Sequence, residues 1–284
     1  MPNKAFLEIT NACNLSCSFC HGTKRPIRYI SRDEFEKAAA ELRSFADYLY
    51  FHLMGEPLLH PDLAVFLAIA KQLAFRVILT TNGTLLPQKT DILLNAPALH
   101  KISISLHSFE ANNSRYGIDE YLTGCFRFCE QAAEQGKIAV MRLWNLGGAQ
   151  AENQYILHRM HEYFDTQDSD GWKTIYSGYK IREKIFLEWG EKFDWPDTEA
   201  APVSSSHFCY GLRDQIGVLS DGTVVPCCLD ADGAVPLGNL FAASLAEILN
   251  SPRAVALRKA FETRQITEPL CRRCGYAGMK QYRK

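Results

Sequence analysis

HKISISLH, residues 100–107, decides between two folds. In an extended chain Ile102, Ile104 and Leu106 fall on one face, and Lys101, Ser103, Ser105 and His107 on the other. A strand in an open doubly wound sheet is covered by helices on both sides and needs apolar residues on both. One apolar and one polar face suit a barrel, in which helices cover the outside and the polar set lines an interior cavity.

The surrounding chain repeats the same unit. KAFLEIT, a helix from about Ser31 to Phe45, DYLYFHL, a helix through LAVFLAIAKQLA, and FRVILTT precede HKISISL. A helix around YLTGCFRFCEQAAEQG, KIAVMRL, a helix around NQYILHRMHEYF, and KIFLEW follow it. Alternating β and α segments imply parallel strands joined by crossover helices. Six strands make an incomplete (β/α)6 TIM-like barrel, whose functional residues belong at the C-terminal strand ends. TNAC, MGEP, TNGT and HS stand at those ends after the first four strands. Residues 165–206 read as an irregular connector with at most one strand. After them DQIGVLSDGTVVPCC reads as a hairpin around Ser-Asp-Gly, with short helices at SLAEIL and PRAVALRKAF. The expected organisation is an α/β domain over 1–204 and a small α+β module over 205–284.

Composition narrows the function. Of 284 residues, 31 are Lys or Arg and 32 are Asp or Glu, so a net charge of -1 offers no basic field for nucleic acid. The start, MPNKAFLEITNAC, lacks the apolar core of a signal peptide, and no run approaches 18 apolar residues, so a cytoplasmic location and no membrane partner are expected. In a reducing compartment ten cysteines point to metal or redox chemistry rather than to a disulfide framework.

Three of them stand in NACNLSCSFCHGT, residues 11–23, spaced C-x3-C-x2-C and followed by His21. Cys17, Cys20 and His21 fit a covalent haem motif, but that leaves Cys13 unexplained and the chain without the export signal such attachment usually accompanies. Zinc could take Cys13, Cys17, Cys20 and His21, although structural zinc sites usually draw ligands from two separate segments. An iron-sulfur cluster can be gripped by three thiolates from one loop. Three thiolates on four irons leave one iron open, which suits a catalyst.

The three cysteines after the first strand, Gly55-Glu56-Pro57 after the second and Thr81-Asn82-Gly83 after the third together resemble the radical S-adenosylmethionine (SAM) superfamily. The resemblance covers about residues 4–200. It implies a 4Fe-4S cluster on Cys13, Cys17 and Cys20, SAM on the open iron, and one-electron cleavage to a 5'-deoxyadenosyl radical. It places Phe19 as the aromatic before the third cysteine, Gly55, Glu56 and Pro57 beside the methionyl amino group, and Asn82, Ser105 and Arg142 near ribose and carboxylate. An electron donor such as flavodoxin or ferredoxin is implied as well. A salt bridge is the competing role for Arg142, and His52 and His107 read as structural histidines.

Cys209, Cys227, Cys271 and Cys274, with Gly222 and Leu-Gly-Asn-Leu at 237–240, resemble the SPASM and twitch modules of some relatives. This implies a second, fully ligated auxiliary 4Fe-4S cluster, with zinc as the alternative. Cys227 is preferred to its neighbour Cys228 by its spacing from Gly222, and adjacent strand residues face opposite ways. Cys125 and Cys129 read as buried thiols on a helix. Asp230 resembles in position the acidic residue that acts in SPASM sulfatase maturases, which makes it the candidate catalytic base; a turn formed with Asp232 and Gly233 is the competing reading. A fully ligated cluster can accept an electron, so net oxidation of a peptide side chain or small polyol is expected. No winged-helix leader-recognition domain fits before Cys13, which disfavours a leader-dependent maturase. A non-catalytic iron-sulfur or zinc protein, and nucleic-acid modification, are the alternatives.

Overall fold

In the computed structural model of the chain, residues 3–110, 117–148, 150–164 and 171–277 are described. They form two compact units. One comprises 1–13, 20–76 and 193–284, and the other 14–19 and 77–192.

The first unit is built on β1 (Lys4–Leu7), whose residues Ala5, Phe6 and Leu7 are buried. The chain then passes through α1 (Arg32–Arg43) to β2 (Tyr48–Tyr50), which lies parallel to β1 in the register Lys4↔Tyr48. α1 begins where the sequence offers a capping box: Glu34 N–H donates to Ser31 Oγ at 3.3 Å, and Ser31 N–H to Glu34 Oε2 at 2.9 Å. Phe35 on α1 stacks on Phe66 of α2 (Leu63–Gln72) with ring centroids 4.2 Å apart, and meets Phe51 edge-on at 5.5 Å. Three fully buried aromatic rings thus seal the helix layer to the strand end.

The second unit holds β3 (Arg76–Thr81), α3 (Leu86–Leu94), β4 (Leu99–Ser105), α4 (Ile118–Glu134), β5 (Ile138–Leu146) and α5 (Asn153–Tyr163). β3, β4 and β5 are parallel neighbours. In β4, Ile102 and Ile104 are fully buried, and Ser103 stands at the level of Thr80 on β3 and Val140 on β5. Cys125 and Cys129 are buried on α4, and burial pushes the Cys125 thiol pKa up to about 12.

Two sequence expectations need correction. α3 is not among the helices expected from the sequence, because LPQKTDILL is short and its middle, Gln88 to Asp91, is an unbroken polar run. The connector contains not one strand but three: β6 (Lys173–Ile175), β7 (Gly178–Arg182) and β8 (Ile185–Glu191). β8 pairs parallel with β5, as KIFLEW suggested, whereas β6 and β7 are antiparallel additions. Their lysines and arginines at an exposed sheet edge erase the apolar signal by which a buried strand is read. Residues 165–170, part of that connector, lie outside the described residues.

The C-terminal segment returns to the first unit. β9 (Gln215–Val218) runs parallel to β1, with Lys4↔Gln215 and Leu7↔Val218 in register. β9 turns into antiparallel β10 (Thr223–Val225), which pairs with β11 (Gly238–Asn239). Gly222 closes this hairpin at φ +86°, where a Cβ would lie 2.6 Å from the Phe241 ring. α6 (Leu245–Leu249) and α7 (Pro252–Glu262) follow. No helix among the described residues is long and apolar enough to cross a membrane.

At the end of β1, Glu8 is fully buried. Both its oxygens accept from the Arg25 guanidinium, at 2.8 and 2.7 Å. Ser220 N–H and Oγ–H donate to Oε1 at 3.1 and 2.9 Å, and Met54 N–H to Oε2 at 3.3 Å. A buried carboxylate is tolerated only with this degree of pairing. Glu8→Gln would leave Arg25 without its counter-charge, and the expected loss of about 3 kcal/mol is the low end for breaking a buried pair. It should appear as a lower urea midpoint at unchanged slope.

Candidate cluster sites

The cysteine loop leaves β1 at Thr10. Thr10 Oγ1–H donates to the Arg28 carbonyl at 2.8 Å and its oxygen accepts Ala12 N–H at 3.0 Å, so the loop opens in a fixed direction. Asn11 continues the tether: its side chain donates to the Pro26 carbonyl at 2.9 Å and accepts from Arg28 N–H at 2.7 Å. The segments on either side of the cysteines are thereby zipped together. Cys13 and Cys20 are exposed and Cys17 is half-buried, and none of the three forms a disulfide.

The Gly55–Pro57 turn backs this loop. Gly55 has φ +78°, and a Cβ there would run into the Thr10 carbonyl oxygen and lie 2.8 Å from that of Ala12. Glu56 N–H donates to Ala12 O at 2.7 Å. Only glycine permits this approach, on grounds of both conformation and space. Glu56 is buried, and its carboxylate caps the following turn by accepting Leu58 N–H at 3.0 Å.

In the second unit, Asn82 Nδ2–H donates to Asn14 Oδ1 at 2.9 Å, and Asn14 returns a bond to Thr84 Oγ1 at 2.8 Å. The Asn82 carbonyl accepts Tyr121 O–H at 2.8 Å. Asn82 therefore holds the residue next to Cys13. Phe19 packs against His107, with ring centroids 4.7 Å apart. Both line an open cleft of about 360 Å³ with Ser18, Trp144, Asn145, Gly148 and Lys192. Burial pushes the His107 pKa down to about 4, outweighing the hydrogen bond between Nδ1 and the Arg142 carbonyl at 3.1 Å. Ser105 ends β4 level with Arg142 on β5. The Arg142 guanidinium lies 4.5 Å from the Trp144 ring centre, and its Nε 3.3 Å from Glu188, which also pairs with Lys101. The salt-bridge reading of Arg142 is thus realised in the structure.

The second cysteine set converges. Burial first, and then the adjacent Cys228, Cys209, Cys271 and Cys274 sulfurs, push the Cys227 thiol far up. Burial, Cys209 and Cys274 do the same to Cys271. Cys209 enters before β9 and accepts Gly211 N–H at 3.3 Å; Cys227 follows β10; Cys271 and Cys274 flank a short 3-10 turn, Cys271–Arg273. Cys228 packs against the apolar cluster of Phe6, Leu53, Leu219 and Val225, which favours Cys227 as the ligand. Cys227 and Cys271, raised by burial and by the neighbouring sulfurs, need a strongly cationic centre to ionise.

The donor sets fit iron-sulfur clusters. Such clusters are held by cysteine sulfur, and three thiols in one loop and four convergent ones supply two such donor sets.

Asp230 is buried and its carboxylate accepts Ala234 N–H at 2.7 Å and Val235 N–H at 2.9 Å. Burial raises its pKa against these bonds. Both oxygens serve the turn, which is the competing reading given above. The sequence reading missed Glu8, Arg25 and Asn14. A lone Glu in an apolar strand was the available signal for the first; the other two are legible only through their partners.

Residues 7–137 match the model of the radical SAM superfamily, and residues 209–275 that of an iron-sulfur cluster-binding domain, SPASM. Fe-coproporphyrin III synthase of Methanosarcina barkeri is 26% identical over 133 residues, which cover 45% of this chain and 33% of the relative. PqqA peptide cyclase of Gluconobacter oxydans is 28% identical over 162 residues, 56% of this chain and 42% of the relative. The chain thus spans less than half the length of these curated relatives. Among solved structures, BtrN in complex with AdoMet and 2-DOIA superposes with a TM-score of 0.61 at 17% identity, over 96% of this chain and 93% of BtrN. At that identity the likeness speaks for the fold, and it agrees with the partial α/β barrel read from the strands. The chain carries a radical SAM domain over residues 7–137 and a C-terminal SPASM iron-sulfur cluster-binding domain over residues 209–275.

Proposed function

We propose that this protein is an enzyme that removes a hydrogen atom from a peptide side chain or small polyol and completes a net oxidation. The observation that carries this reading is the unequal ligand count: three cysteines in one loop, two of them exposed, and four half-buried ones converging from three chain segments. The radical SAM domain holds a SAM-binding 4Fe-4S cluster and the SPASM domain an auxiliary one. When bound, the first supplies, with SAM, a hydrogen-abstracting radical, and the second an electron acceptor.

The chain's own contribution is to order the first loop and shape its surroundings. Gly55 and Glu56 press backbone against residues 10–12, and Asn82 secures Asn14. We assign Cys13, Cys17 and Cys20 to the first cluster, and Cys209, Cys227, Cys271 and Cys274 to the second, with 205–284 as the auxiliary-cluster domain. Phe19 and neutral His107 offer a cleft a flat ring-bearing face without added charge. Peptide substrates find support in the peptide-cyclase relative, and polyols in the spacing of Cys209, Cys227, Cys271 and Cys274. An electron carrier such as flavodoxin or ferredoxin is the proposed donor, and the cytoplasm the proposed location.

After anaerobic reconstitution, wild type should carry about eight irons and the Cys13, Cys17, Cys20 triple Ala variant about four, as expected for two four-iron clusters. With SAM and dithionite, wild type should release 5'-deoxyadenosine and the triple variant none. Iron uptake without any cleavage of SAM by wild type would sink the enzymatic reading in favour of an electron carrier.

His107 provides a pH test. Its folded pKa of about 4 lies below the ordinary 6.5, so between these values the unfolded chain binds more protons. The stability contributed by the neutral imidazole is whole above pH 6.5 and is lost as pH falls toward 4. Urea midpoints of His107→Gln should show a shallower decline over this window than wild type.

A further inference from the structure

His21 is not needed as a ligand, yet it is held as firmly as the residues around it. Its Nε2 lies 3.1 Å from Asp232 Oδ2, and the Trp195 ring stacks on its other side at 6.1 Å between centroids. The second Asp232 oxygen accepts Thr23 Oγ1–H at 3.0 Å and Lys24 N–H at 2.9 Å. Thr23 Oγ1 in turn accepts Arg25 N–H at 3.1 Å, and Arg25 Nε–H donates to the Ala231 carbonyl at 2.9 Å. One carboxylate thus gathers the three residue positions 21, 23 and 24, immediately after Cys20.

These bonds are not what closes the 230–235 turn. Asp230 does that, with its carboxylate turned inward on Ala234 and Val235, which leaves Asp232 to face the other segment. The segment it meets is anchored further on, by Arg25 at Glu8 and Ala231 and by Pro26 at Asn11, so residues 21–24 depend on Asp232. Residues 20–27 contain no helix or strand, and Gly22 at φ +68° would have nothing within 4 Å of a Cβ. Gly22 N–H donates to Cys20 Sγ at 3.4 Å, so motion of residues 21–24 is transmitted directly to the third cysteine. Hydrogen bonds from N–H, O–H and imidazole to an ionised carboxylate are the strong kind, and they hold Asp232 below the usual carboxylate range although burial pulls the other way.

We propose that Asp232 is a positioning residue for Cys20, through which the loop following Cys227 in the C-terminal domain orders the N-terminal cluster loop. The inference rests on the reading of Cys20 as a cluster ligand. It makes the C-terminal domain a structural requirement of the first cluster, separate from any electron it accepts.

Amide hydrogen exchange in the reconstituted full chain tests it. In Asp232→Ala, amides of residues 21–25 should exchange about tenfold faster or more, as local opening without global unfolding. Amides of β1 and β9 should keep their protection, and the EPR line shape of the reduced N-terminal cluster should change. Thr23→Val removes one of the three bonds to Asp232 together with the acceptor of Arg25 N–H, so in this variant the Lys24 amide, bonded directly to Asp232, is the one read; it should exchange faster by a smaller factor, and it carries the test if Asp232→Ala does not fold. Unchanged exchange at 21–25 in the variant tested would overturn the proposal, as would equal loosening of β1 and β9. Wild type that makes no 5'-deoxyadenosine would count against the proposed function while leaving this exchange result intact.

Discussion

The buried pair of Glu8 and Arg25 is the constraint on which the first unit depends. β1 ends in a carboxylate with no access to water, and five hydrogen bonds from three chain segments converge on it. Desolvating a charge is costly enough that these donors have no comparable alternative, so the chain past the cysteine loop, the end of β2 and the β9–β10 turn are drawn to one point. The direction in which the cysteine loop leaves β1 and returns follows from that.

The two cysteine sets use different physics. The N-terminal three sit in an irregular loop whose order is borrowed: backbone from Gly55 and Glu56 on one side, side-chain amides from Asn82 at Asn14, and a carboxylate at residues 21–24. Such a loop keeps its sulfurs exposed, as an incompletely ligated cluster that must admit a second molecule requires. The C-terminal four are brought together from strand ends and a 3-10 turn, with the thiols of Cys227 and Cys271 desolvated, which suits a closed cluster that exchanges only electrons. Asp232 belongs to the second set by sequence and to the first by contact.

Much of this was legible in the chain itself. The alternation in residues 100–107 put Ile102 and Ile104 on a buried face, although Ser103 on the opposite face is fully buried as well, and the helix expected from about Ser31 starts at Arg32. Gly55 was readable as special, though not the Thr10 and Ala12 carbonyls that make it so. β6 and β7 were hidden because an edge hairpin pairs through its backbone and needs no apolar pattern. The roles of Asp230 and Asp232 could not be told apart, since two acids two residues apart before a glycine look alike until their partners are known.

By itself the sequence determined the βα order, the strand ends and both cysteine spacings, because these follow from local periodicity and from the number of thiols a cluster needs. Only the tertiary structure decided which carboxylate closes a turn and which grips the loop after Cys20, that Asn82 serves Asn14, and that β9 aligns with β1. Apart from the Asp230 turn, those pairings join residues from 68 to more than 200 positions apart. Hydrogen bonds and burial across such distances are selected by the packed fold as a whole, and no window of neighbouring residues contains them.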